Sequence, residues 1–314
     1  MYKALILDDD LKESFQKELY GYEILEAEKF VFSGGESHIK IKDSSDALLH
    51  NTEHLLIITK LKTAQDLTDL AIAVNAFINL GADAKIHLMI GYLPGGRQDR
   101  VCANGEANSS KVYANLIDSM YDWDSVQYID AHSDVMPAIF KGYNVNNNNY
   151  RFVDEAIVEL DLENFTLVSP DAGANKKVLG LAQHILNTDY PLGVSKKEVD
   201  VVRADKLRDV SNGQILETIV YADDLTGKDC VIVDDICDGG RTFIELAKIL
   251  RSKGARNVIL IVTHGIFSKG YDVVLEHVDQ IVTTNSFAEL SDDDGDKVTV
   301  LGLDLTYYTS KEND

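Results

Sequence analysis

Short apolar, β-branched runs alternate with amphipathic helical stretches along most of this chain, and that alternation leaves few folds open. Leu55–Thr59 reads as a buried strand, Ala64–Leu80 as a long amphipathic helix closed by Gly81, and Lys85–Tyr92 as the next strand. Ser109–Tyr121 is a second helix, and Val126–Ala131 a strand that ends at His132. Strands that are apolar on both faces and separated by helices pack as a parallel sheet covered on both sides. Ligands of such sheets bind beyond the carboxyl ends of the strands. Arg97, Gln98 and His132 fall in that position.

The tract Asn144–Tyr150 is rich in turn-forming asparagine and suits a connection between domains. After it the pattern restarts: Asp154–Asp161 helical, Phe165–Ser169 a strand ending at Asp171, and Ala174–Leu186 a helix. Residues 188–227 are mixed and charged, and then come the helix Thr242–Lys253, capped by Gly254, and the strand Val258–Thr263. The chain therefore reads as two similar α/β halves without a clear sequence repeat, and 314 residues suffice for two cores.

Composition narrows the function. A formal net charge of −22 argues against non-specific nucleic-acid binding and against an anionic membrane surface. It leaves room for small polyanions held by a local group of cations. No apolar run reaches the roughly 18–20 residues that span a bilayer. The first residues turn acidic too soon for a signal peptide, and the three cysteines (Cys102, Cys230, Cys237) suit neither a disulfide framework nor a zinc site. A reducing cytoplasm is the expected setting. Cys237 is expected to pack, and the acidic runs Asp8–Asp10 and Asp292–Asp294 to be solvated turns.

Residues 229–243 carry the most chemistry. The apolar run Val231, Ile232, Val233 delivers two adjacent acids, Asp234 and Asp235; Asp238 follows, and Gly239, Gly240, Arg241 and Thr242 open a helix. A strand, a glycine loop and a helix N-terminus together favour phosphate, through free N–H groups and the helix dipole. The acids would repel a bare phosphate unless they face ribose hydroxyls or a divalent cation. Phosphate beside ribose, with a metal nearby, is the inference.

This stretch resembles the fingerprint of the type I phosphoribosyltransferase fold, and further segments resemble ribose-phosphate pyrophosphokinases (PRPP synthetases). They are Phe32-Ser33-Gly34-Gly35-Glu36, Gly91 to Arg100 with its Arg97-Gln98-Asp99-Arg100, Asp130-Ala131-His132-Ser133, Val168 to Gly173 and Thr263 to Ser268, in family order. The resemblance implies two tandem type I phosphoribosyltransferase-like domains with substrates in the cleft between them. An ATP-binding domain would cover residues 1–147 and 291–314, and a ribose-phosphate-binding domain residues 148–290. It implies Mg²⁺-dependent transfer of the β,γ-diphosphoryl group of ATP to the 1-hydroxyl of ribose 5-phosphate. Phe32, Glu36, Arg97, Gln98 and Arg100 would bind ATP, and His132 and Asp171 would hold Mg²⁺, with His132 also catalytic. Asp234, Asp235, Asp238, Gly239, Gly240, Arg241 and Thr242 would bind the ribose phosphate. Lys206 and Arg208, with Arg203 in reserve, would form a mobile catalytic loop. A homo-oligomer, dimer or hexamer, is implied because the Phe32–Glu36 loop completes a neighbour's ATP site.

The chain also departs from the family pattern. Gly95-Gly96 replaces Tyr-Ala, Gly34 replaces an adenine-recognising aspartate, and Asp-Gly-Gly-Arg-Thr (238–242) replaces Asp-Thr-Gly-Gly-Thr. An arginine can bind a second phosphate bidentately, so Arg241 raises an alternative acceptor, a 5′-extended ribose such as ADP-ribose. A non-catalytic regulatory homologue and a PRPP-consuming phosphoribosyltransferase are the remaining alternatives.

Overall fold

The computed structural model describes residues 2–15, 21–42, 52–188, 199–208, 215–289 and 297–303. The chain divides into two compact units, one of Met1–Asn148 that takes the chain back from Gly302, the other of Asn149–Leu301.

In the first unit, β1 (Tyr2–Ile6) leads into α1 (Asp9–Phe15), and β2 (Tyr22–Ile24) precedes a two-stranded hairpin of β3 (Ala27–Val31) and β4 (Ser37–Ile41). Then come β5 (His54–Thr59), α2 (Ala64–Ile78), β6 (Lys85–Ile90), α3 (Ser109–Met120), β7 (Ser125–Ile129), α4 (Met136–Ile139) and β8 (Asn144–Asn147). The six strands of the main sheet run β2-β1-β5-β6-β7-β8, all parallel. Successive side chains of a strand point to opposite faces, and here both faces are filled. Leu55 and Ile57 of β5 enter the core that includes Leu70, Val74 and Phe77 of α2. Leu56 and Ile58 join Ile6, Leu11, Met89, Ile129 and Leu303 on the other face. The helix start is set locally: Thr63 and Asp66 form a capping box, which satisfies two otherwise orphaned N–H groups.

The second unit begins with α5 (Tyr150–Glu159) and continues through β9 (Phe165–Ser169), α6 (Asn175–Asn187), β10 (Asp200–Arg208), β11 (Ile215–Val220) and β12 (Asp229–Cys237). It ends with α7 (Arg241–Ser252), β13 (Asn257–Gly265), α8 (Asp272–Leu275), β14 (Gln280–Thr284) and β15 (Val298–Leu301). Its seven strands run β11-β10-β9-β12-β13-β14-β15, parallel except for the β10–β11 pair. Again the strands bury two faces. Val231 and Val233 pack with residues of α5 and α6, and Cys230 and Ile232 with Phe243, Leu246 and Leu250 of α7. The α/β class and the two mostly parallel sheets are as expected.

Four expectations need correction. The boundary between the units falls inside the asparagine tract, between Asn148 and Asn149, as expected, but Asn144–Asn147 form the edge strand β8 rather than a connection. Its amides are spent on the sheet: Asn144 accepts from the Tyr128 hydroxyl (2.9 Å), Asn146 from the Ala131 N–H (2.9 Å), and Asn147 donates to Gln127 (3.2 Å). The chain rejoins the first unit at Gly302 rather than residue 291, because β15 completes the second sheet against β14. Asp8–Asp10 is not a solvated turn. Asp9 and Asp10 open α1, Asp8 accepts from the Lys60 N–H (2.8 Å), and Asp10 pairs with the fully buried Lys60 ammonium. Within the mixed stretch, Asp200–Arg208 and Ile215–Val220 form the antiparallel pair β10–β11. The run Asp292–Asp294 lies outside the described residues. Cys237 is fully buried, and all three cysteines are free.

Candidate active site

The carboxyl end of β6 runs into the Gly91–Arg100 loop, and that of β7 into the His132 turn. Gly95 is in the left-handed region (φ 74°), and a Cβ there would meet the Tyr113 ring at 2.8 Å. That explains glycine at this position. The loop is tied down by Ser110, whose hydroxyl donates to the Gly95 carbonyl (2.6 Å) and whose N–H donates to the Gln98 carbonyl (3.3 Å). Arg97, Gln98, Arg100 and His132 are exposed. A Cβ built on Gly96 would lie 3.7 Å from His132 Cβ, so the loop and the histidine adjoin.

Asp99, to which the motif resemblance assigns no role, ties the loop to the His132 turn. It is buried, and its carboxylate accepts from Arg100 Nε (3.0 Å) and from the Ser133 hydroxyl. Its own carbonyl accepts from the Asn108 amide (3.1 Å). The hydrogen bond from Arg100, against the opposing effect of burial, and that from Ser133 hold its carboxyl below the usual range. Beside this, Asp130 stands at the end of β7 at φ 43°, an uncommon conformation for a non-glycine residue. It is held by its N–H donating to Asn147 O (2.7 Å). Phe32 is exposed near the tip of the β3–β4 hairpin, packed edge-on against Phe30, and its N–H donates to the Glu36 carbonyl (2.8 Å).

In the second unit the predicted ribose-phosphate residues come together as one loop. Asp234 and Asp235 are at the end of β12, with the Asp235 N–H donating to Asp234 Oδ1 (3.0 Å). Burial, then the Asp235 charge, pushes the Asp234 carboxyl well above its ordinary range, and the Lys177 ammonium partly offsets this. Lys177, in the first turn of α6, has Nζ 3.8 Å from Asp235 Oδ1. It is a second residue that the reading missed, although a lysine pair just after a strand-end Ser-Pro-Asp turn was a usable signal. Gly240 precedes α7 at φ 74° with no side-chain cap, and a Cβ there would meet Val274 Cγ2 at 2.5 Å. The N-terminal N–H groups of α7 therefore lack the capping oxygen that most helices provide. Arg241 is exposed, and Asp238, Gly239 and Thr242 are half-buried.

The catalytic-loop expectation changes. Residues 203–208 belong to β10, where Lys206 pairs with Thr218 across the antiparallel ladder and a bulge falls between Leu207 and Arg208. Arg203 is exposed. Of Arg208 only the backbone is described. Lys206 is nearly buried and its Nζ contacts Asp171 Oδ2 at 2.6 Å. Asp171 Oδ1 accepts from the Gly173 and Ala174 N–H groups (3.0 and 3.2 Å). Burial alone would raise the Asp171 carboxyl, but Lys206 and the two N–H groups outweigh it and hold it low. Two residues assigned separate roles thus form one ion pair. In this structure both Asp171 oxygens are engaged, Oδ2 by Lys206 and Oδ1 by the two N–H groups. Among the described residues no group of three or more His, Cys, Asp or Glu could hold a metal. Asp234 and Asp235 fit better: two adjacent carboxylates whose mutual repulsion a hard cation with oxygen ligands would relieve.

Residues 143–295 match the phosphoribosyl transferase domain family model. The ribose-phosphate pyrophosphokinase of Sulfolobus acidocaldarius is 28% identical over 89% of this chain and 89% of its own. That of Mycoplasmopsis pulmonis is 26% identical over 82% of this chain and 75% of its own. The chain is thus similar in sequence, over most of its length, to ribose-phosphate pyrophosphokinases. Its fold agrees: the crystal structure of phosphoribosylpyrophosphate synthetase from Mycobacterium smegmatis superposes with a TM-score of 0.78, covering 99% of this chain and 97% of the other at 21% identity. The relatives thus span both units, not only the phosphoribosyl transferase half. No helix among the described residues is long and apolar enough to cross a membrane.

Proposed function

We propose that this protein transfers the β,γ-diphosphoryl group of ATP to the 1-hydroxyl of a ribose phosphate, giving PRPP and AMP when the acceptor is ribose 5-phosphate. The observation that carries the reading is the β12–α7 loop. It sets two like-charged carboxylates beside an uncapped helix N-terminus, in a chain similar to pyrophosphokinases that also keeps the Arg97–Arg100 loop against His132. In the reaction the ribose 1-hydroxyl gives up its proton to solvent as the O1–Pβ bond forms, the bond from Pβ to the α,β-bridging oxygen breaks, and AMP leaves with that oxygen.

Such a transfer depends mainly on positioning and charge neutralisation. Arg97 and Gln98 present donors to the triphosphate and adenine edge, and Arg100 is turned by Asp99. His132 stands beside that loop, where an imidazole N–H can donate to a phosphate oxygen. Asp234 and Asp235 accept from the ribose hydroxyls, and the loop Asp238–Thr242 receives the 5-phosphate on the α7 N–H groups. Mg²⁺ held by Asp234 and Asp235 would neutralise charge as it develops on the diphosphoryl group. If Lys206 also acts on the leaving phosphate, it must first release Asp171. The reading carries a homo-oligomer with Phe32 and Glu36 at a neighbour's ATP site.

A second acceptor, a ribose extended beyond the 5-phosphate such as ADP-ribose, is favoured by the exposed Arg241 in that loop. The test is AMP release from ATP and Mg²⁺ with ribose 5-phosphate or ADP-ribose. Acceptor-dependent AMP is expected. AMP with neither acceptor would refute catalysis and leave the regulatory reading.

A further inference from the structure

The turn that follows β13 approaches the phosphate loop, and it brings a lysine with it. The Ile266 and Phe267 N–H groups both donate to the carbonyl of Cys237, the last residue of β12, at 2.8 and 3.0 Å. The turn closes through the Gly270 N–H on the Phe267 carbonyl (2.8 Å), with Phe267 and Gly270 both at positive φ (42° and 82°). The Phe267 ring packs on Tyr271 with centroids 4.6 Å apart. This turn is therefore anchored to the same strand end that launches Asp238–Thr242.

Lys269 is presented from it. Measured from the position a Cβ would take on Gly239, Lys269 Cε lies at 3.7 Å and its Cδ and Nζ at 4.0 Å. The lysine stem thus lies along the glycine face of the loop while remaining exposed, and no hydrogen bond or ion pair joins its ammonium to another described residue. A Cβ on Gly239 would make ordinary contact with the stem, so loop and lysine adjoin without crowding. Arg241 is on the same loop, exposed at the first position of α7. A single 5-phosphate is already served by the loop N–H groups. Two further cations, one flexible and one planar, exceed what that phosphate needs, and the acids on the other side of the loop do not engage Lys269.

We propose that Lys269, with Arg241, holds a second phosphate of the acceptor and so selects a ribose that carries a diphosphate at C5. This rests on the diphosphoryl-transfer reading and deepens its second acceptor. An arginine grips a phosphate bidentately, and a lysine adds a point charge that follows it.

The test measures binding apart from turnover. Calorimetric titration of ADP-ribose and of ribose 5-phosphate into the full-length protein and into Lys269→Ala and Lys269→Arg gives four affinity ratios. Lys269→Ala is expected to weaken ADP-ribose at least ten-fold more than it weakens ribose 5-phosphate, and Lys269→Arg to restore most of the loss. Thermal unfolding of each variant reports folding, and exposure of Lys269 predicts no change there. Equal weakening of both ligands, no weakening of either, or wild-type protein that binds ADP-ribose no better than ribose 5-phosphate would overturn the proposal. Because no ATP is present, failure of diphosphoryl transfer shows up separately, as absent AMP in the turnover assay with binding intact.

Discussion

Replacing Lys206 with methionine should destabilise the second unit by about 2 kcal/mol. The estimate comes from where the pair lies. Removing one partner of a fully buried ion pair costs about 3–5 kcal/mol, whereas surface pairs contribute about 0–1 kcal/mol. Lys206 is 7% exposed and Asp171 33% exposed, at 2.6 Å, so the cost falls between those limits. Methionine keeps most of the apolar stem, which isolates the lost charge from lost packing. For a domain of ~150–250 residues each kcal/mol moves Tm by about 2–4 °C, giving a fall of about 4–8 °C by calorimetry near pH 7. The sign of the pH dependence follows from the depressed Asp171 carboxyl. Its stabilisation is present above the unfolded carboxylate value of about 3.9 and lost as pH falls through the lower folded value. The wild-type advantage should therefore shrink as pH falls below about 3.9. A double-mutant cycle with Asp171→Asn should return a coupling of about 2 kcal/mol. A Tm change below about 1 °C for Lys206→Met would refute the argument, and a normal Tm with collapsed turnover would return Lys206 to a purely catalytic role.

Two further outcomes follow from the site. Asp234→Asn should raise the stability of the metal-free protein at neutral pH by about 1 kcal/mol, typical of relieving strain at a functional site. The Asp234 carboxyl is raised, so the native state holds its proton longer than the unfolded chain. Stability then falls as pH rises from about 3.9 through the folded value, and the variant's advantage should vanish below about pH 4. Added Mg²⁺ should raise the wild-type Tm and leave the variant unmoved; equal shifts would exclude this carboxylate as a ligand. Asp99→Ala should lower kcat/KM for ATP about 10²-fold through misplacement of the Arg97–Arg100 loop, with Ser133→Ala showing a smaller loss in the same direction. Unchanged ATP kinetics in Asp99→Ala would remove its positioning role.

The alternation of apolar and helical segments determined the α/β class, the positions of several central strands and helices (β5, α2, β6, α3, β7, β9, α6, α7 and β13) and the β12–α7 loop, because hydrophobic period and turn chemistry are local properties. Asp234 to Thr242 were legible for that reason: strand, glycines and helix start are consecutive in the chain. The asparagine tract marked the boundary between the units but hid a strand, because its composition resembles a linker, and only the neighbouring Tyr128, Gln127 and Ala131 show that its amides complete a sheet edge. Residues 203–208 read as a charged loop because Arg203, Asp205 and Lys206 obscure the strand pattern, and Lys206 is held by Asp171 from elsewhere in the chain. Contacts between residues distant in sequence were decided by tertiary structure alone. Asp171 with Lys206, Asp99 with Ser133, Lys177 with Asp235 and Gly239 with Lys269 are brought together by parallel strands that end side by side. No local pattern encodes which strand lies next to which, so sequence named the candidate residues, while the sheet order chose their partners.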